Sequence, residues 1–265
     1  MTETLLANRI GFKFLNATRF AGGFASLALQ AIRELFIPPF PFRLTLEQLR
    51  VIGIDSFLLV LITGLATGSV MALQFGYGLA RFGGTLYVPK LTSLAMLREM
   101  GPVFTSLLVA GRIGSGMASE ISSMKVTQQI DAIRALGTSP IQRIVIPRLI
   151  ACMIALPLLT LISDYMSMLG AMLISRTELN MDFQFFTTKA LETLTLADLF
   201  TGMAKTLVFA FFIAITACYR GLNTEGGTQG VGISTTWVVV TSSIFIMISD
   251  FFLTKFFLIT VFPKY

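Results

Sequence analysis

Five long apolar runs constrain this chain more than any other feature in it. They extend from about Ser56 to Gly76, Pro102 to Ile121, Ile144 to Ile174, Leu199 to Tyr219 and Thr235 to Val261. Roughly 20 apolar residues in helical form span a bilayer core, so each run predicts one membrane-crossing helix. The third and fifth exceed the required length and are expected to tilt or to project beyond the bilayer. Pro147 and Pro157 are expected to kink the third, because each removes a helix hydrogen bond. The composition agrees: of 265 residues 54% are hydrophobic and only 13% charged, with mean hydropathy +0.79. The fold class that follows is an all-α integral membrane protein.

Composition also removes whole classes of function. Histidine is absent, which takes away the commonest general base and zinc ligand. Cys152 and Cys218 both lie in apolar runs and suggest neither a disulfide framework nor a metal site. The net charge of +6 fits attraction to anionic headgroups; the basic residues form no single face for nucleic acid. Arg9, Lys13 and Arg19 interrupt any early apolar segment, so no cleaved signal peptide is expected.

Basic residues orient the spans. With the N-terminus inside, twelve of the 20 Lys and Arg residues fall on the cytoplasmic side and seven outside, with Lys205 within the fourth span. This expectation places the C-terminus outside and the Glu120–Arg143 segment in the cytoplasm. Residues 5–37 carry too many charges to cross easily, yet Phe24, Leu27, Ala28, Ala31, Ile32 and Leu35 repeat at helical spacing. Arg9, Lys13 and Asn16 share another face. One or two helices lying in the inner-leaflet interface are expected, ended by Pro38, Pro39 and Pro41; the alternative is a sixth span with Arg19 near its centre. The organisation expected is an interfacial segment over residues 1–50 and a five-span domain over 51–265.

Several motifs stand out within this frame. Gly64 and Gly68 in the first span, and the stripes Ala110–Gly114–Ala118 and Gly111–Ser115–Ser119 in the second, let helix backbones approach closely. Either packing within the chain or a seam between two copies accounts for them. Arg98-Glu99 before the second span reads by itself as a solvated charge pair. Lys205, six residues into the fourth span, must face a cavity, a partner charge or a headgroup, unless it snorkels to the outer interface. Asp164 and Asp250, inside spans three and five, read as polar contacts between helices. The stretch from Gly221 to Gly232 holds five glycines in twelve residues. It lacks the Gly-Lys-Ser/Thr and preceding strand of a phosphate loop, and a tight cytoplasmic turn is expected instead.

Between spans two and three lies a polar helical segment, Glu120 to Arg148. Its Asp131-Ala132-Ile133, followed by Gly137, resembles the cytoplasmic coupling helix by which ABC importer permeases dock into a separate ATPase. The chain has no nucleotide site of its own, so such a helix implies a partner. A continuous helix from Met124 to Gly137 is expected to be the docking element.

Longer stretches resemble the MlaE/YrbE permease family, the membrane subunit of MCE-type ABC lipid transporters. They are Leu97-Arg98-Glu99-Met100-Gly101-Pro102-Val103, Val109-Ala110-Gly111-Arg112-Ile113-Gly114-Ser115, Glu120 through Met124-Lys125 and Asp131-Ala132 to Gly137 and Pro147-Arg148, and Gly221 to Gly232 with Asp250-Phe251-Phe252-Leu253-Thr254 behind it. The resemblance covers about residues 50 to 262. It implies an interfacial N-terminal helix, five spans and a homodimer in the bacterial inner membrane. It further implies one cytoplasmic ABC ATPase per copy that holds the ATP and magnesium, a periplasmic MCE-domain ring of six, and a small cytoplasmic regulatory subunit. The chain itself is expected to bind no cofactor and no metal and to catalyse nothing. The substrate implied is a phospholipid, moved between inner and outer membranes so as to maintain outer-membrane asymmetry. Arg98, Glu99 and Lys205 match positions lining the lipid cavity, with Gln74 and Tyr77 as neighbours, whereas Phe257 is expected to face away from it. Glu120, Met124, Lys125, Gln128, Asp131, Arg134 and Gly137 match the ATPase-coupling segment. A non-transporting scaffold for an MCE protein and ATPase, and a lipid-modifying enzyme, are the rival readings.

Overall fold

A computed structural model of the chain describes residues 2–38 and 41–261, with the side chains of 2–14, 16 and 17 outside the description. The expected face of Arg9, Lys13 and Asn16, the stop at Pro39 and both extreme termini therefore lie outside the described residues. Helices α1 (Thr2–Glu34), α2 (Phe42–Leu49), α3 (Asp55–Ala80), α4 (Val88–Ala95), α5 (Gly101–Val109) and α6 (Ser115–Val126) come first. Then follow α7 (Gln129–Ala135), α8 (Ile146–Glu178), α9 (Phe183–Thr193), α10 (Leu196–Leu222) and α11 (Gly227–Thr260), with no strand among the described residues.

Five continuous helical segments are long and apolar enough to cross a membrane: Phe42–Ala80, Thr85–Val126, Ile141–Glu178, Leu196–Leu222 and Gly227–Thr260. They match the five expected spans in place and exceed them in length. The first two are built from shorter α-helices joined through π-helical turns at Arg50–Ile54, Met96–Met100 and Ala110–Gly114, and the third enters α8 through a π-helical turn at Ile141–Val145. Each such turn inserts a residue into the helical ladder and changes which face points inward. At 39 residues and about 1.5 Å per residue, the first segment is longer than a bilayer core is thick, so part of it projects beyond.

Helix α8 forms the centre. Its most apolar stretch is 72% buried, against 28% for the first segment and 22% for α11. It continues through Pro157. Helix α3 packs along α8 through Gly64, Gly68, Ala72 and Gly76. A Cβ at Gly64 would stand 2.8 Å from the Ser163 carbonyl oxygen, and one at Gly68 would overlap the Ser167 backbone. This glycine pair is therefore a seam within the chain. Ala110, Gly114 and Ala118 are likewise buried, with Gly114 facing Ile213 and Val238 of α10 and α11. The neighbouring stripe of Gly111, Ser115 and Ser119 is only half-buried, and a Cβ at Gly111 would meet nothing within 4 Å.

Helix α1 is held by an aromatic cluster. The Phe20 ring stacks edge-on against Tyr219 and Trp237 at centroid distances of 5.4 and 5.1 Å, and Phe24 lies 5.5 Å from Phe245. At its far end Ser139 donates to Glu34 at 2.6 Å.

Two expectations need correction. The glycine-rich stretch is not one long turn: α10 continues to Leu222 and α11 begins at Gly227, so Gly230 and Gly232 are helical. Only Asn223–Gly226 turns, with Gly226 at φ +87° and Gly227 at +63°. Thr224 is buried there, 2.6 Å from the Ser122 hydroxyl and 3.0 Å from that of Ser234, so hydroxyl pairing as well as glycine fixes the turn. The polar helix from Met124 to Gly137 is also broken: α6 ends at Val126, Gln128 takes φ +60°, and α7 starts afresh at Gln129.

Candidate functional site

Pro102 shapes the first candidate site. Lacking an N–H, it cannot bond the Arg98 carbonyl one turn back, and the π-helical turn Met96–Met100 absorbs the fault. The freed Arg98 carbonyl accepts a hydrogen bond from Lys205 Nζ at 2.9 Å. The same ammonium donates to Glu99 Oε2 at 2.6 Å and to Thr254 Oγ1 at 2.7 Å. Three protons thus meet three acceptors. Asp250 Oδ1 lies 3.1 Å away as an ion-pair partner but receives no hydrogen bond. Thr254 completes the ring by donating to both Glu99 oxygens at 3.1 and 3.2 Å.

Of the surroundings expected for Lys205, the partner charge is present, supplied by Glu99 and Asp250. Only 2% of its side chain is exposed, which also excludes snorkelling. Asp250 is the inter-helix contact expected of it, linking α11 to α10. Arg98 and Glu99 do not pair with each other. Arg98 Nε lies 2.5 Å from Asp198 Oδ1, while Asp198 Oδ2 accepts from the Thr195 backbone N–H and hydroxyl at 2.7 and 2.8 Å in a capping box at the start of α10. Each satisfied carboxylate oxygen offsets part of the cost of burial. Arg98 and Lys205 stand against three carboxylates, Glu99, Asp198 and Asp250. Neither cation is therefore free to meet an anionic group without rearrangement.

A narrow cleft opens onto this cluster, lined by Arg98, Glu99, Thr201, Lys205, Thr254, Phe257 and Leu258. Glu99, with 32% of its side chain exposed, and Arg98 with 28% are its accessible charges. Phe257 lines the cleft and does not face away. Gln74 and Tyr77 do not line it; both are exposed on α3. Asp164, the other charge flagged within a span, is buried on α8 against Gly101, with its Oδ1 unpartnered among the described residues. Asp198 and Thr195 escaped the sequence reading, and Thr254 entered it only within a family motif, with no role assigned. The Thr195-x-x-Asp198 spacing was the signal for the first two.

The second candidate site is α7 with its flanks. Asp131 pairs with Lys125 at 3.1 Å and with Arg134 at 3.4 Å. Ile130 is buried and anchors the helix, and Met124 packs against the core, leaving Gln128, Asp131, Arg134 and Gly137 exposed. Gly137, at φ +73°, follows the helix in the left-handed conformation that favours glycine. Its N–H bonds Arg134 O at 2.9 Å, and the next N–H bonds Ile133 O at 3.2 Å. Leu136 beside it is 81% exposed. Glu120 in the middle of α6 pairs with Arg148 at the start of α8 at 2.7 Å, tying together the two helices that flank α7. The continuous segment Thr85–Val126 carries Arg98 and Glu99 toward one end and leads into α7 at the other.

Comparison with known proteins fits this arrangement. The Permease MlaE family profile matches residues 45–256. A probable ABC transporter permease protein of Rickettsia typhi is 38% identical over 250 residues, covering 94% of this chain and 96% of its own. A probable ABC transporter permease protein of Synechocystis is 42% identical over 212 residues, covering 80% and 81%. The chloroplastic protein TRIGALACTOSYLDIACYLGLYCEROL 1 of Arabidopsis thaliana is 36% identical over 231 residues, covering 87% of this chain and 66% of its own. The chain is a multi-pass membrane protein, the permease subunit of an ABC transporter, and it belongs to the MlaE permease family.

Proposed function

We propose that the chain is the permease of an ATP-driven phospholipid transporter in the bacterial inner membrane. On this reading two copies form a homodimer and the N-terminus is cytoplasmic. α1 lies along the inner-leaflet interface, ahead of a five-span domain. α7 docks into a cytoplasmic ABC ATPase that binds ATP and magnesium. A periplasmic MCE-domain ring receives or delivers the lipid, a small cytoplasmic subunit regulates the assembly, and the work maintains outer-membrane asymmetry.

The observation that carries the reading is the cluster of ionisable groups within the spans. Such groups are costly in hydrocarbon and mark substrate pathways by default. Here they border a narrow cleft, with Phe257 and Leu258 as its apolar lining, and Arg98 and Glu99 sit on the same continuous helix that leads to α7. The chloroplastic relative, whose name contains a galactolipid, supports lipid as the substrate class. Closure of the ATPase would press on α7 and move α6 and α8 through the Glu120–Arg148 pair. Arg98 and Glu99 would move with the helix, exchanging contacts in the cluster for contacts with a headgroup. Glu99 and Arg98 are the groups assigned to the headgroup; Lys205 holds Glu99 from behind. Gln74 and Tyr77, exposed on α3, are assigned to the lipid cavity only across the seam with a second copy.

Photo-crosslinking tests the assignment. A crosslinker at position 99 is expected to capture labelled phospholipid well above one at Leu173, which is exposed on α8. Equal capture at both positions would withdraw the cavity assignment and leave a scaffold role standing.

A further inference from the structure

A groove distinct from the polar cleft runs between the first membrane segment and α8. Its volume is about 470 Å³, within the range of ordinary ligand sites. Arg50, Gly53, Ile54 and Phe57 line one wall, and Ala155 and Leu158 line the other. These four line the same wall of the groove, and the π-helical turn Arg50–Ile54 supplies three of them. π-helical turns inside α-helices often mark functional positions.

The floor is open because it is made of small residues: a Cβ at Gly53 would first meet Ala155 Cβ at 3.9 Å. Ile54, Phe57 and Leu158 stand exposed along the walls. Arg50 is the one charged residue lining the groove. It is exposed and has no ion pair among the described residues; Glu47, on the preceding turn, is already paired with Arg43 at 3.5 Å. Arg50 also lies toward the α7 end of the molecule. Arg112 of the second segment donates to Ser56 at 2.7 Å, and a smaller cleft joins Gln48 to Glu120, which pairs with Arg148 at the start of α8.

We infer that this groove binds one phospholipid with a net negative headgroup, drawn from the leaflet on the α7 side. An acyl chain lies along the floor between Gly53 and Ala155, and phosphate oxygens accept from the Arg50 guanidinium. An apolar channel in a membrane-spanning wall is filled by hydrocarbon, and a lone unpaired cation at its mouth selects for anionic lipid. Binding here needs only the membrane placement of α2, α3 and α8, so it stands or falls separately from transport and from the polar cleft.

The test is native mass spectrometry of the assembled protein released from nanodiscs of equal phosphatidylglycerol and phosphatidylethanolamine. The parent protein is expected to retain phosphatidylglycerol in preference. Arg50→Gln should lower that preference about fivefold, the effect of one basic residue near an anionic surface, while Arg50→Lys keeps most of it. Ala155→Phe, which fills the floor, should lower retention of both lipids. A photo-crosslinker at Leu158 should capture lipid. An unchanged lipid ratio in Arg50→Gln, or unchanged retention in Ala155→Phe, would overturn the inference. So would capture of a second copy of the chain at Leu158, which would make the groove a seam between copies. If Arg50→Gln fails to fold, Ala155→Phe and the Leu158 crosslink decide.

Discussion

Lys205 holds three helices together with one ammonium: its bonds reach Arg98 and Glu99 on the second segment and Thr254 on α11 from its own place on α10. Removing one partner of a buried ion pair leaves the others uncompensated, at a cost of about 3–5 kcal/mol. Lys205→Met is therefore expected to unfold in detergent at a clearly lower temperature than the parent. The triple variant K205M/E99Q/D250N, which removes the orphaned charges as well, should recover much of the loss. Thermal unfolding of the two variants side by side checks this, and an unchanged midpoint for Lys205→Met would mean that the cluster holds nothing. The sequence made Lys205 and Asp250 visible as charges inside apolar runs. Their pairing was not visible, because it joins positions 45 residues apart along the chain, on two separate helices whose mutual packing leaves no local signal. The carboxylate of Asp198 was visible only as a helix cap, and its second oxygen, turned to Arg98, had no local signal.

Among the elements, α7 bears the second prediction. Its ion pairs are exposed, and such pairs contribute at most about 1 kcal/mol. Asp131→Lys places a third cation between Lys125 and Arg134. It should reduce co-purification of the ATPase markedly while leaving the melting temperature of the isolated chain almost unchanged. Gly137→Val has a different signature: a β-branched residue in the left-handed region costs about 1–2 kcal/mol and frays the end of α7. Hydrogen exchange at Leu136 and Thr138 should rise, and coupling of hydrolysis to transport should fall. Normal assembly and wild-type transport in both variants would remove α7 from the docking role. The spans themselves were legible because apolar length has one physical meaning in a bilayer. The break at Thr127–Gln128 was not, since nothing about those two residues demands a left-handed Gln128. The glycine-rich stretch misled for the opposite reason. Glycine permits a turn, but Gly230 lies inside a helix, where a Cβ would overlap the Glu225 carbonyl, and Gly232 is an exposed helical residue.

At the scale of the whole molecule, the proposed topology, with all five segments crossing, puts the start of the first segment and the end of α11 on opposite faces of the membrane. Reporter fusions at Met1 and Tyr265 are expected to be cytoplasmic and external respectively; finding both on one side would mean that residues 5–37 cross as well, or that one of the five segments does not. The small-residue pair of Gly64 and Gly68 was legible as a packing seam, but only the structure assigns it to α8 and not to a second copy. The apolar face of α11 bearing Met247, Ile248, Phe251 and Phe252 is left uncovered by the described residues. The most direct test of the account is ATP-dependent lipid transfer by the assembled complex in proteoliposomes loaded with labelled phospholipid. The account predicts lipid movement that requires ATP and is lost in Glu99→Lys while ATPase co-purification persists. ATP hydrolysis with no lipid movement in the intact complex, or full transfer by Glu99→Lys, would contradict it.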